Sequence, residues 1–185
     1  MIFIKNAYVT DPAGGREEKA DILLKDGKIV KIGQIKEEEL AAEPASFRVI
    51  DAEGLVAAPG LVDVHSHFRD PGFTYKEDIE TGAKAAAKGG YTTVVLMANT
   101  KPCVDNEETL RYVIEKGKQT GIHVYTCATV TMGMQGKEIV PMEELAKKGA
   151  VGFTDDGVPI LSEEIVEEAM KRAAALQMPL SFHEE

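Results

Sequence analysis

Two histidines one residue apart, His65 and His67, carry the clearest chemical signal in this chain. They lie in the run Gly60-Leu61-Val62-Asp63-Val64-His65-Ser66-His67-Phe68-Arg69-Asp70-Pro71-Gly72. The apolar residues ahead of them read as a short buried strand. Residues two apart on a strand point to the same face. Two imidazoles therefore stand side by side where the strand ends, a spacing that suits two nitrogen ligands of one divalent metal. A lone histidine is more often a satisfied core or surface residue. Two at i and i+2, with Arg69 a further two on and a Pro-Gly turn closing the run, favour a metal site.

Such rings need elements that aim them and bring other groups to the same place. Apolar or β-branched runs recur at Leu61–His65, Thr92–Met97, His123–Thr129, Ala150–Phe153 and Pro179–Phe182. Their starts are roughly thirty residues apart, the length of a strand-loop-helix unit. Helical patterns fill the gaps at about Lys76–Lys88, Glu107–Gln119, Pro141–Lys148 and Ser162–Leu176. Ser162 before Glu163 and Glu164 is an N-cap followed by acids, Asp105-Asn106 before Glu107 is a second cap, and Pro141 suits a first helical position. Gly89-Gly90 and Gly149 stop their helices. This alternation predicts a parallel sheet, either a (β/α)₈ barrel or an open doubly wound sheet.

Residues with chemistry favour the barrel. His65 and His67 follow the first strand, Asn99 the second and Asp155-Asp156-Gly157 the fourth, while His183 ends the fifth. All sit at carboxyl ends of strands, where α/β folds bind ligands. Only a closed barrel brings all those ends to one rim, and no strand is followed by a glycine-rich dinucleotide-binding turn. Residues 1–58 form a separate small antiparallel β element, with strands at Met1–Val9, Asp21–Lys25, Lys28–Ile32 and Arg48–Asp51 and a hairpin signal at Asp26-Gly27. Glu37–Pro44 is a polar loop or short-helix insertion, and Gly54–Pro59 crosses into the barrel, which occupies 59–185.

Composition bounds the function. A chain of 185 residues that is 44% apolar can bury a real core. Its apolar runs fall short of the ~20 residues that span a membrane, and no secretion signal opens it. Two cysteines, Cys103 and Cys127, make no disulfide framework, which fits the cytoplasm. A net charge of -10 argues against nucleic acid or an anionic membrane as partner.

The run from Pro59 to Gly72 resembles the signature of dihydroorotase, in the cyclic amidohydrolase superfamily. Glu80-Thr81-Gly82 and Gly89-Gly90-Tyr91-Thr92-Thr93-Val94 resemble that family's first helix and second strand. Asn99-Thr100-Lys101-Pro102 resembles its substrate-binding loop, and Phe153-Thr154-Asp155-Asp156-Gly157 its bacterial, aspartate-bridged metal loop. The resemblance implies zinc, one or two ions per subunit, with His65 and His67 on one ion, Asp156 bridging and His183 on the second. It implies that Arg69 and Asn99 hold the substrate carboxylate, a role suited to a forked, permanently charged guanidinium and a donor-acceptor amide. Zinc lowers the pKa of bound water to about 7, which fits hydrolysis of a cyclic amide. The implied reaction interconverts dihydroorotate and N-carbamoyl-aspartate in pyrimidine synthesis, with a homo-oligomer or an aspartate transcarbamoylase association as implied partners.

Two departures stand out. Ala98 replaces a proline common in the family, which should loosen the loop without removing the Asn99 contact. The family also needs roughly twice this length, with a further histidine ligand and a proton-accepting aspartate on later strands beyond Glu185. The expectation is therefore the first half of an enzyme, five barrel strands of eight, inactive as an isolated piece. Elsewhere, Asp63 reads as support for a ligand, Asp155 as shaping its turn, His123 and Cys127 as structural, and Glu184 as a candidate neighbour of the site. Hydantoinase, dihydropyrimidinase or allantoinase activity is the main competitor. Those relatives bridge their metals with a carboxylated lysine on the fourth strand, and Ala150–Asp156 has no lysine. Two non-enzymatic roles also compete, a subunit that supports a partner enzyme and a mere assembly piece.

Overall fold

Alternation buries Ala7 and Val9 on one face of β1 (Ile2–Asp11), in a computed structural model that describes residues 1–41 and 48–183. They pack with Ala20, Ile22 and Ala52 into a small apolar cluster. β1 pairs antiparallel with β2 (Arg16–Lys25), which pairs antiparallel with β3 (Lys28–Gly33). Asp26 and Gly27 turn this second hairpin with φ of 50° and 75°, the left-handed pair that a tight hairpin needs. The sheet is mixed rather than purely antiparallel. β4 (Arg48–Asp51) and β5 (Val56–Ala57) both run parallel to β1. Apolar alternation identifies a strand but carries no information about its direction. A short helix, α1 (Glu37–Ala41), occupies the start of the insertion, and the rest of that stretch lies outside the described residues.

The chain divides into two compact units, Met1–Pro59 and Gly60–Glu185. In the second, β6 (Leu61–Ser66), β7 (Tyr91–Leu96) and β8 (His123–Thr126) form a parallel sheet in sequence order. The two later runs continue that order as single parallel bridges, Ala128 to Phe153 and Phe153 to Leu180, rather than as ladder strands. Phe153 donates to Pro179 O and accepts from Ser181 N, while Pro179 has no N–H to give. Part of a barrel wall is therefore present, five parallel segments side by side.

The helices are α2 (Ile79–Lys88), α3 (Glu107–Gly117), α4 (Met142–Lys147) and α5 (Glu163–Leu176). Ile79, Leu110, Met142, Leu145 and Phe153 are fully buried in one core with Val94, Leu96 and Val130. α2 begins three residues later than the sequence pattern suggests. Asp78 caps it by accepting from Thr81 N at 2.8 Å, and that bond lowers the Asp78 carboxyl pKa. Asn106 and Ser162 cap α3 and α5 in the same way, while Pro141 sits just ahead of α4 instead of inside it. No helix among the described residues is long and apolar enough to cross a membrane.

The burial of the first barrel strand is a further expectation overturned. β6 is not a buried strand: Leu61, Val62 and Val64 are 53%, 58% and 70% exposed. It is the sheet edge, with β7 as its sole strand partner among the described residues.

Candidate metal centre

β6 carries His65 near its carboxyl end, and His67 follows Ser66 directly. Asp63 braces this stretch, accepting from His65 N at 3.0 Å and from Ser66 Oγ at 2.6 Å. The two imidazole centroids are 5.1 Å apart, with the rings at 64°. Both turn Nε2 toward one carboxylate oxygen, Asp156 Oδ1, at 3.1 Å from His65 and 3.8 Å from His67. Ligand atoms of these three side chains all lie within 4.8 Å of one another. Tetrahedral zinc with bonds of about 2.1 Å needs donors about 3.4 Å apart, so two imidazoles and this carboxylate fit a metal in both chemistry and spacing.

Asn99, three residues beyond β7, links His67 to Asp156. Its amide nitrogen donates to Asp156 Oδ2, and its oxygen lies 3.0 Å from His67 Nδ1. A carboxylate only accepts, so the amide nitrogen must face Asp156 and the oxygen must face His67. Nδ1 of His67 therefore donates, which leaves the Nε2 lone pair directed into the cluster. A metal ligand needs that tautomer.

The adjacent aspartates divide their work. Asp156 takes φ of 50° and donates its N–H to Thr154 Oγ1 at 2.8 Å, and its side chain faces the histidines. Asp155 points the other way and is 1% exposed. It accepts from Val130 N at 2.8 Å, Thr131 N at 3.1 Å and Thr131 Oγ1, tying the segment after β8 to this loop. Asp155→Ala should leave those buried donors unpaired and lower stability by about 3 kcal/mol, read as a shift in the urea midpoint.

The remaining candidates are spread more widely. His183 is exposed, follows the Leu180 bridge and stands outside the three-residue group. Glu184 lies outside the described residues. Arg69 is half-buried with φ of 60°, and its guanidinium has no hydrogen-bond or ion-pair partner among the described residues. His123 opens β8 and stacks on Tyr125, at the amino end of the sheet beside a cavity of about 770 Å³. A smaller cavity of about 460 Å³ touches His65, His67 and Asp63. Burial pushes the Cys127 thiol up to about 11, and burial with Asp105 nearby does the same at Cys103. Neither cysteine belongs to the group of ligand atoms that approach one another at His65, His67 and Asp156.

Sequence reasoning missed the Asp70 cluster. Asp70, with its side chain fully buried, accepts from Tyr112 Oη at 2.8 Å and Lys116 Nζ at 2.7 Å on α3, and from Ile79 N at 3.4 Å. The bond to Asp70, then that to Tyr112, raises the Lys116 pKa far above its usual value. The Pro-Gly turn beyond it is pressed against the Asn99 loop. Lys101 N donates to Pro71 O at 3.0 Å, and a Cβ on Gly72, whose φ is 92°, would lie 2.0 Å from Lys101 O.

Residues 54–185 match the family model described as Dihydro-orotase-like. The whole chain is 56% identical to the dihydroorotase of Clostridioides difficile (strain 630) and spans 43% of that protein. It is also 56% identical to the Clostridium acetobutylicum dihydroorotase and 50% identical to that of Streptococcus pneumoniae serotype 4, covering all of this chain and 42% of each relative. Among solved structures, an L-hydantoinase (dihydropyrimidinase) from Arthrobacter aurescens superposes with a TM-score of 0.78 at 25% identity, over 100% of this chain and 40% of that one. A D-hydantoinase (dihydropyrimidinase) from Thermus sp. gives 0.74 at 24%, over 99% and 40%, and shows the fold alone. The chain thus spans less than half the length of these relatives. A match that takes in every strand and helix from β6 onward, with 56% identity to a relative across the whole chain, makes this chain a member of the dihydro-orotase-like family.

Proposed function

We propose that the protein carrying this chain is a zinc-dependent cytoplasmic dihydroorotase that interconverts N-carbamoyl-L-aspartate and dihydroorotate, with a closed (β/α)₈ barrel at full length. The observation that supports it most is the approach of His65, His67 and Asp156 to one point at the carboxyl end of the parallel sheet. Zinc, when bound, supplies a Lewis acid for the scissile carbonyl and a nucleophile at neutral pH. His65 and His67 would hold it through Nε2, with His67 Nδ1 turned to Asn99 Oδ1. Asp156 contributes the carboxylate that would bridge to a second ion, for which His183 is the proposed ligand. Arg69 offers its unpartnered guanidinium to the substrate carboxylate, and Asn99 lies within reach of the same loop system.

Substrate choice tests this reading. Dihydroorotate carries a carboxylate, and a neutral cyclic ureide does not. Arg69→Met in a protein of the relatives' full length should therefore weaken dihydroorotate selectively. Loss of one charge-assisted contact corresponds to about 2–3 kcal/mol, on the order of 30- to 150-fold in affinity. Steady-state kinetics with both substrates reads it out. Equal losses on both would favour a hydantoinase-like activity, the alternative reading within the same superfamily.

A further inference from the structure

Arg69 combines a constrained backbone with an unpartnered side chain. Its φ of 60° is a conformation that residues other than glycine adopt only where the surroundings impose it. Asp70 supplies the first restraint. That carboxylate is wholly buried and is held by Tyr112 and Lys116 on α3 and by the first N–H of α2. A second restraint comes from Phe73 N, which donates to Arg69 O at 2.9 Å, and a third from Lys101 N on Pro71 O. The guanidinium, by contrast, pairs with nothing among the described residues.

We propose that the buried Asp70 carboxylate with Lys116 and Tyr112 is a positioning clamp that fixes Arg69 for the substrate carboxylate, so that α3 sets affinity for an acidic substrate. This rests on the reading of Arg69 given above. The clamp touches no substrate, and its effect passes through Arg69. A contact made equally to bound substrate and transition state changes KM and leaves kcat alone. A merely structural anchor would instead lower the folded fraction and leave the KM of the folded molecules unchanged.

The experiment uses the metal-loaded protein at its relatives' full length, with dihydroorotate and a neutral cyclic ureide as substrates. Lys116→Met should raise KM for dihydroorotate about 10-fold, in the range known for displaced supporting residues, with kcat within about twofold. KM for the neutral ureide and the metal content should not move. Lys116→Arg should restore KM to near its original value. Tyr112→Phe, which removes a single hydrogen bond and keeps the ring, should give a smaller rise in the same direction and remains informative if Lys116→Met fails to fold. In an Arg69→Met background the same substitutions should add nothing, because neighbours that act through one group are not additive. Wild-type KM in both foldable clamp variants, or a full effect persisting without Arg69, overturns the clamp alone. Unchanged dihydroorotate KM in Arg69→Met overturns the carboxylate reading itself.

Discussion

Replacing His65 and His67 together by alanine should strip stoichiometric metal from the full-length protein and leave its fold intact. The pair supplies two of the three donors that approach one point, so the ion held there loses both of its nitrogen ligands. The fold should survive because the side chains of His65 and His67 are 39% and 27% exposed. Elemental analysis gives the metal content and circular dichroism gives the fold. On the proposed reading, activity falls with it, since losing the polarising ion removes about 4 kcal/mol of transition-state stabilisation, on the order of 10³-fold in rate. Wild-type metal content in a folded double variant would sink the metal centre.

Residues 1–185 expressed alone should show no measurable dihydroorotase activity. They span 43% of the Clostridioides difficile relative, and the family's proton-accepting aspartate is expected outside them. Proton transfer by a positioned group is commonly worth about 10²–10⁴-fold by itself. The same polypeptide should self-associate. β6 has one strand partner among the described residues and leaves Leu61, Val62 and Val64 exposed along an edge whose backbone can pair with another chain. An activity assay and sedimentation at several concentrations check both effects together. A monomeric 185-residue protein that turns over dihydroorotate at an ordinary rate would contradict the half-barrel picture.

Local signals in the sequence were legible wherever the physics is local. The His65/His67 spacing, the Asp26-Gly27 hairpin and the Asn106 and Ser162 caps depend on neighbours a few residues away, and the structure contains each of them. The start of α2 was less clear because Lys76 and Glu77 are good helix formers, while the cap that decides the matter is Asp78. The parallel pairing of β4 and β5 with β1 depends on how the chain returns, which periodicity does not encode. Asp70 was invisible for a different reason. It looked like part of a turn, and its partners Tyr112 and Lys116 lie 42 and 46 positions away. Two adjacent aspartates with opposite fates, Asp155 inward and Asp156 toward the histidines, likewise depend on φ at one residue, 50° at Asp156.

The contact between Gly72 and Lys101 bears on how this site can be redesigned. A side chain at position 72 would collide with a backbone oxygen, and the Pro71 carbonyl would lose its donor if the Lys101 segment changed course. The loop bearing Arg69 and the loop bearing Asn99 therefore behave as one module with a shared seam. Grafting either loop alone from a relative of different specificity would pair a foreign backbone path with a native one, and the seam would not close. Exchange of substrate preference within this family should succeed only when both loops are transplanted together.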